Sequence, residues 1–325
     1  MKRAMILPGV IIILFAAGFF YQGIAARSDP EEFLGEMLSC GGYNINTRIT
    51  GERPQGEAAV VLVPGLGDGL VVWHRVQDAL SAGHGVLSYD PSGTGLSTAR
   101  KGGRTSEDMA KELHEILTAA GVGPPYVLAG HSNGGFTIRM FRSLYPDEVA
   151  GLVFVDATHE DMVAGGVAGV FNGISGALTG AAGFMNSFGL PRLLVALFGP
   201  QVITDEIELP GPLERQYLQG YYRSQNYYAM AGQYFNMQKS VRQIMDSRAP
   251  LGSLPVAVLY SIVGVEEDAE ELAARYGALA ALSDDSTVRL VGNARHHIQL
   301  DQPQQVIEAI TEVLDKAAGR QMPGP

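Results

Sequence analysis

Six apolar runs punctuate the chain: Ala58 to Val63, Gly85 to Tyr89, Tyr126 to Ala129, Leu152 to Val155, Val256 to Ile262 and Val288 to Val291. Each is too short for a typical helix and lacks polar/apolar alternation, the pattern of a strand buried on both faces. Such a strand needs a layer above it and a layer below, and helix-period stretches between most of the runs supply them. In the clearest, Ser106 to Ala120, residues Met109, Leu113, Ile116 and Leu117 form one apolar stripe, and Thr105 or Ser106 can cap the first turn. Strand then helix, repeated, predicts an α/β fold with a mainly parallel sheet flanked by helices on both faces. Ahead of the first run, Tyr43 to Thr50 alternates and Gly51 to Glu57 is rich in turn formers, so an opening antiparallel strand is expected there.

With 325 residues, 46% hydrophobic and 18% charged, the chain suffices for one large α/β core carrying an insertion. A net charge of -11, with no basic cluster longer than Arg100-Lys101, argues against nucleic acid, whose phosphates require patches of Lys and Arg. Cys40 is the only cysteine, so no intrachain disulfide and no thiolate metal cage can form. The histidines include no H-E-x-x-H pattern, and the nearest approach to a ligand cluster is His159-Glu160-Asp161, so no metal partner is expected.

Residues 1–27 read as a membrane anchor. Lys2 and Arg3 precede an uncharged stretch, Ala4 to Ala26, about long enough to cross ~30 Å of hydrocarbon as a helix. A cleaved signal peptide is the rival, since Gly23-Ile24-Ala25 and Ile24-Ala25-Ala26 offer small residues for a cut. Basic residues before the span, and Asp29, Glu31, Glu32 and Glu36 after it, predict a cytoplasmic N-terminus with the remainder outside. A polar connector, 28–42, would lead to the main domain, 43–318, within which 159–250 breaks the strand–helix rhythm as a helical cap insertion. From Met162 to Pro191 there is no charged residue, and Gly166, Gly169, Gly173, Gly176, Gly180 and Gly183 recur every three or four positions. On a helix these glycines make one bare face, at roughly 1 kcal/mol each relative to alanine, so such a helix needs close partners, protein or lipid. The stretch reads as a mobile cap touching the membrane or as a glycine-rich surface loop.

Gly130-His131-Ser132-Asn133-Gly134 joins an apolar run to a helix-like stretch. A G-x-S-x-G string recurs by chance in a chain with 41 glycines; strand before and helix after give it force. A sharp strand-to-helix turn holds the serine in a strained conformation, and flanking glycines remove the Cβ atoms that would collide. Ser132 is therefore the candidate nucleophile. A serine hydroxyl needs a histidine base and an acid to orient it, here following in chain order. His296 comes after the last apolar run, on a loop at the sheet edge, with His297 as a packing or hydrogen-bonding neighbour. For the acid, Asp156 ends the run after the nucleophile, where a carboxylate among apolar neighbours needs a partner such as an imidazole N–H. Glu266, Glu267 and Asp268 are the competitors. Pro64-Gly65-Leu66-Gly67-Asp68-Gly69 follows the first buried strand and can supply an oxyanion donor, so the backbone N–H groups of Leu66 and Asn133 form the expected pair. The same loop fails as a phosphate cradle, lacking G-x-G-x-x-G spacing and a G-K-[ST] ending. Asp90, in Asp90-Pro91-Ser92-Gly93-Thr94-Gly95, reads as structural. Trp73 and the aromatics between Tyr217 and Phe235 serve either as core or as the lining of an acyl pocket.

These strings together resemble the α/β-hydrolase superfamily from about Tyr43 to Ala317: Val63-Pro64-Gly65-Leu66-Gly67, Tyr89 through Ser97, Ala129 through Gly135, Leu152 through Asp156, and His296 through Pro303. Among its members the chain looks most like bacterial membrane-anchored serine hydrolases. The resemblance implies a Ser–His–acid hydrolase with no cofactor, acting on small or lipid-like carboxylic esters, with Ser132 and His296 at the motif positions. Serine at 132 disfavours the epoxide hydrolase and haloalkane dehalogenase branches, which attack with aspartate. The lone aspartate usual after the strand following the cap is missing, and some members take their acid from the preceding strand, which favours Asp156. Acyl transfer on the same triad, or a binding protein that keeps the pocket without turnover, are the alternatives.

Overall fold

The computed structural model describes residues 2–28, 33–204, 207–247, 250–263 and 269–320. In chain order the elements are α1 (Lys2–Ala25), β1 (Glu36–Cys40), β2 (Tyr43–Thr50), β3 (Ala59–Val63), α2 (His74–Leu80), β4 (Val86–Tyr89), α3 (Ser106–Ala119), β5 (Tyr126–His131), α4 (Gly134–Leu144) and β6 (Val149–Val155). Six helices follow before the next strand: α5 (Glu160–Val163), α6 (Gly166–Asn186), α7 (Leu190–Phe198), α8 (Gln201–Thr204), α9 (Gly211–Tyr221) and α10 (Ser224–Asp246). The chain then completes the sheet with β7 (Val256–Tyr260), α11 (Ala269–Ala280), β8 (Ser286–Leu290), α12 (Ile298–Asp301) and α13 (Pro303–Arg320).

The strands form one eight-stranded sheet in the order β1-β2-β4-β3-β5-β6-β7-β8. β1 and β2 pair antiparallel, as do β2 and β4, and every later pairing is parallel. All but the last of the apolar runs become buried strands because helices cover both faces. On one side Leu113, Ile116, Phe136, Phe141 and Tyr276 pack on the sheet; on the other Trp73, Val76, Val306, Ile310 and Leu314 do so. Trp73 is thus core, completely buried. α3 starts as its sequence predicts, with a capping box in which Thr105 accepts from the Asp108 N–H while Asp108 accepts from the Thr105 N–H, worth about 1 kcal/mol.

The structure corrects three expectations. The proposed connector 28–42 contains β1, so the sheet begins before the expected start at residue 43. β1 is an edge strand that turns into β2 through Gly41 and Gly42, whose φ values of 56° and 107° only glycine adopts readily. The run Val288 to Val291 is not buried on both faces: β8 is the opposite edge, and Val288 and Leu290 are 43% and 52% exposed. The glycine-rich stretch is a helix and not a loop, and Gly169, Gly176, Gly180 and Gly183 of its bare face lie on α10. A Cβ on Gly176 would come 2.9 Å from the Phe235 ring, and one on Gly183 would come 2.9 Å from Tyr227 and Tyr228. The close backbone approach that glycine permits offsets its poor helix propensity.

Register sets the site. Val63 pairs with Gly130, His131 with Val155, and Val155 with Leu259, so the C-terminal ends of β3, β5, β6 and β7 finish along one rim. The loops that carry chemistry leave from that rim, the usual place for ligands in open α/β sheets.

Candidate active site

Ser132 follows β5 immediately and has φ of +50°, left-handed backbone that a non-glycine residue rarely adopts. The turn is held on both sides: the Ser132 N–H donates to the Val155 carbonyl at 3.2 Å, and the Ser132 carbonyl accepts from Gly135 and Thr158, both at 3.0 Å. Its neighbours have no room for side chains. A Cβ on Gly130 would lie 2.7 Å from the Gly134 carbonyl oxygen, and one on Gly134 would lie 2.7 Å from the carbonyl oxygens of Val63 and Pro64. Strain of this kind, of order 1–3 kcal/mol, persists only where the surroundings over-determine it.

Asp156, the first residue after β6, also has positive φ, +44°. Its carboxylate is buried and fixed through both oxygens: Oδ2 stands 2.7 Å from His296 Nδ1, and Oδ1 accepts from the Ser261 N–H and the Tyr276 hydroxyl, each at 3.1 Å. Ser261 follows β7, and Tyr276 reaches in from α11, stacked on Tyr260 at 4.7 Å between centroids. The sequence assigned neither residue a role; the one available signal was Ser261, the single hydroxyl-bearing aliphatic residue within the apolar run Val256 to Ile262. Glu266, Glu267 and Asp268 lie outside the described residues.

His296 is half-exposed, and its ring tilts against the ring of His131 with centroids 4.6 Å apart, beside the Ser132 turn. His131 Nε2–H donates to the His296 carbonyl at 3.0 Å, joining the two loops directly. Leu66, Ser132 and Asn133 line one cavity of about 760 Å³ together with Met162, Val167, Phe171 and Met237. The sequence-predicted oxyanion donors and nucleophile therefore face the same space. Tyr234 lines it too, whereas Tyr217 and Tyr221 do not. The Asn133 side chain donates to Gln233 Oε1 of α10 at 2.7 Å, tying the turn to the insertion.

Behind the turn lies a buried cluster that the sequence did not announce. Asp68 Oδ2 accepts from His297 Nε2–H at 3.1 Å and stands 3.6 Å from His131 Nδ1, while Oδ1 accepts from the Tyr217 hydroxyl at 3.2 Å. A carboxylate in a glycine-rich loop just beyond a buried strand was the available signal. Among the described residues Asp68, His131 and His297 are the one group whose potential metal-ligand atoms all lie within 4.8 Å of one another. His159, Glu160 and Asp161 are otherwise engaged: Arg139 clasps the Glu160 carboxylate at 2.6 and 3.2 Å, and His159 Nδ1 accepts from the Asp161 N–H at 3.2 Å. Asp90 is structural as expected, accepting from Leu70 and Leu96 N–H and from Asn46 Nδ2.

Burial pushes the His131 imidazole down to about 4, against the opposing pull of Asp68. Burial also penalises the Asp68 charge, but His297 and His131 outweigh it and hold that carboxyl below its usual range. Because the depressed imidazole is neutral in the fold and charged when unfolded, its contribution is complete above 6.5 and disappears as pH falls from 6.5 to about 4. That window is worth about 3 kcal/mol. Urea unfolding across it should show a stability decline of this order, which His131→Asn flattens; an unchanged slope would contradict a buried neutral His131.

A family model described as the alpha/beta hydrolase fold matches residues 58–303. Esterase PIR7B of Oryza sativa is 38% identical over 100 residues, covering 30% of this chain and 37% of that protein, so the match spans well under half of the relative. A thermophilic esterase from Thermogutta terrifontis, with malate bound, superposes with a TM-score of 0.65 at 22% identity, covering 87% of this chain and 98% of the other. The epoxide hydrolase CorEH superposes equally well, with a TM-score of 0.67 at 16% identity over 86% and 98% of the two chains. At such identities superposition speaks for the fold alone. Together with the rim described above, the match over most of its length establishes that this chain belongs to the alpha/beta hydrolase fold family.

Proposed function

We propose that the protein is a serine hydrolase of carboxylic esters, with Ser132 as nucleophile, His296 as general base and then acid, and Asp156 orienting the imidazole. The observation that carries the reading is the 2.7 Å contact between His296 Nδ1 and Asp156 Oδ2, beside a serine strained at φ +50°. In this reading His296 Nε2 takes the Ser132 proton as Oγ attacks the ester carbonyl carbon. The N–H groups of Leu66 and Asn133 receive the developing oxyanion. Collapse breaks the bond to the alkoxide, which leaves with the proton from His296, and an acyl-Ser132 remains. Water then gives His296 a proton and attacks the acyl carbon; collapse releases the carboxylic acid and returns a proton to Ser132. Asp156 orients and stabilises the imidazolium in both halves.

A serine at the attacking position favours acyl chemistry over the aspartate route of the epoxide hydrolases, although their fold is shared. The apolar lining of the cavity suits a small or lipid-like acyl chain. In the same reading α1 anchors the chain in a membrane, with Lys2 and Arg3 cytoplasmic and the sheet outside; the uncharged run Ala4 to Ala26 supports this. The test is a series of p-nitrophenyl esters of increasing chain length, run with and without alcohol acceptors. Turnover with an initial burst of p-nitrophenol is expected. Absence of turnover at every length, with no labelling by a fluorophosphonate, would defeat the reading, and products appearing mainly as esters of the added alcohol would replace hydrolysis by acyl transfer.

A further inference from the structure

We infer that the α6–α7 face of the helical insertion is embedded in the outer leaflet of the membrane and that ester substrates enter the Ser132 cavity sideways from the lipid. The inference rests on the proposed anchoring by α1. α1 does not stand apart from the rest of the chain. The rings of Phe15 and Phe188, the latter between α6 and α7, meet edge to face with centroids 4.4 Å apart, and a Cβ on Gly18 would lie 2.4 Å from the Phe188 carbonyl oxygen. Further along, Gln22 donates to the Tyr222 carbonyl at 2.7 Å and accepts from Arg192 Nε at 3.0 Å.

These contacts fix a depth. Phe15 is the midpoint of Ala4 to Ala26; at about 1.5 Å per residue it lies roughly 16 Å from either end of the uncharged run. A helix tilt of 40° reduces this only to about 12 Å. If α1 spans a hydrocarbon layer of about 30 Å, its partner Phe188 is well inside that layer. Gln22, by the same arithmetic, lies about 6 Å from the outer end, and there Arg192 rests 4.1 Å over the Tyr222 ring. A cation and an aromatic at that level match the interfacial belt of membrane proteins.

The surface on either side of this contact fits the same depth. From Met162 to Thr204 the only charged residue is Arg192. On that stretch Val167, Phe171, Leu178, Leu197 and Phe198 are 89%, 69%, 67%, 65% and 61% exposed. A protein partner would be met by a polar rim and hydrogen-bonding groups; lipid requires neither. α6, like α1, is long and apolar enough to cross a membrane. It lies in the plane instead, because β6 before it and β7 after it are neighbours in one sheet and its glycines pack along α10. The cavity opens on this face: Val167 and Phe171, among its most exposed residues, also line the space in front of Ser132. A substrate dissolved in the leaflet therefore meets the mouth without passing through water.

The test reconstitutes the full chain in phosphatidylcholine vesicles. Single cysteines at Ile13, Leu178, Leu197 and Asp147 carry a fluorophore in turn, the native Cys40 being buried. Asp147, exposed at the opposite end of β6, is the aqueous control. Labels at 13, 178 and 197 are expected to be quenched by nitroxide lipids and not by iodide, and the label at 147 the reverse. The double substitution L178D/L197D is expected to lower turnover of a palmitoyl ester dissolved in the vesicles by about tenfold and to leave p-nitrophenyl acetate turnover unchanged. Iodide quenching at 178 and 197 with lipid quenching at 13, or shielding of 178 and 197 from both quenchers as a second copy would cause, overturns the inference. Iodide quenching at 13 overturns the anchor and this inference together. The depth readings need no catalysis, so lipid quenching in a chain that hydrolyses nothing would sink the esterase reading and leave this one standing.

Discussion

Ser132→Ala is expected to lower kcat toward a p-nitrophenyl ester by about 10⁶-fold and to abolish covalent labelling by a fluorophosphonate, since nucleophile and base act as a unit. The fold should not register the change. Alanine keeps the Cβ and the strained φ of +50°, so unfolding free energy should stay within about 0.5 kcal/mol. Ser132→Gly separates the strain from the chemistry: equally inactive, it is expected to be more stable by about 1 kcal/mol, because glycine accepts positive φ freely. Activity or labelling that survives in the alanine variant would remove Ser132 from the mechanism.

Asp156→Asn should reduce kcat by about 10⁴-fold, because an amide donates where the imidazole N–H needs an acceptor and so favours the wrong tautomer. Both carboxylate oxygens are already committed, to His296 on one side and to Ser261 and Tyr276 on the other. An asparagine turned to satisfy one set fails the other. The combined Glu267→Gln and Asp268→Asn variant should keep its activity. If that variant alone loses turnover, the acid lies beyond β7 and Asp156 is structural.

The central strands were legible because burial on both faces leaves no room for polar alternation, as in β3, where Ala59 to Val63 is wholly buried. The edges were not. β1 pairs on one side only and exposes Met37, so its sequence carries no continuous apolar run. β8 carries one, yet its Val288 and Leu290 face solvent, since an edge strand can afford apolar residues that nothing covers. In the site, Ser132, Asp156 and His296 could be found because each follows a strand, and strand ends are local features. Tyr276 reaches Asp156 across 120 residues and His297 reaches Asp68 across 229; such partners are chosen by topology, which the local pattern does not encode. The partner of the glycine face was open between protein and lipid for the same reason. α10 proved to be that partner, leaving the opposite, bulky side of α6 for the bilayer we propose.

His296 and its partner Asp156 are 140 residues apart, with β7 and β8 between them in the chain. A chain emerging from the ribosome carries the proposed nucleophile, Ser132, long before it carries the proposed base. Under the proposed mechanism the growing polypeptide stays chemically silent until its last loops arrive, and a product truncated anywhere ahead of residue 296 is expected to be inert toward esters.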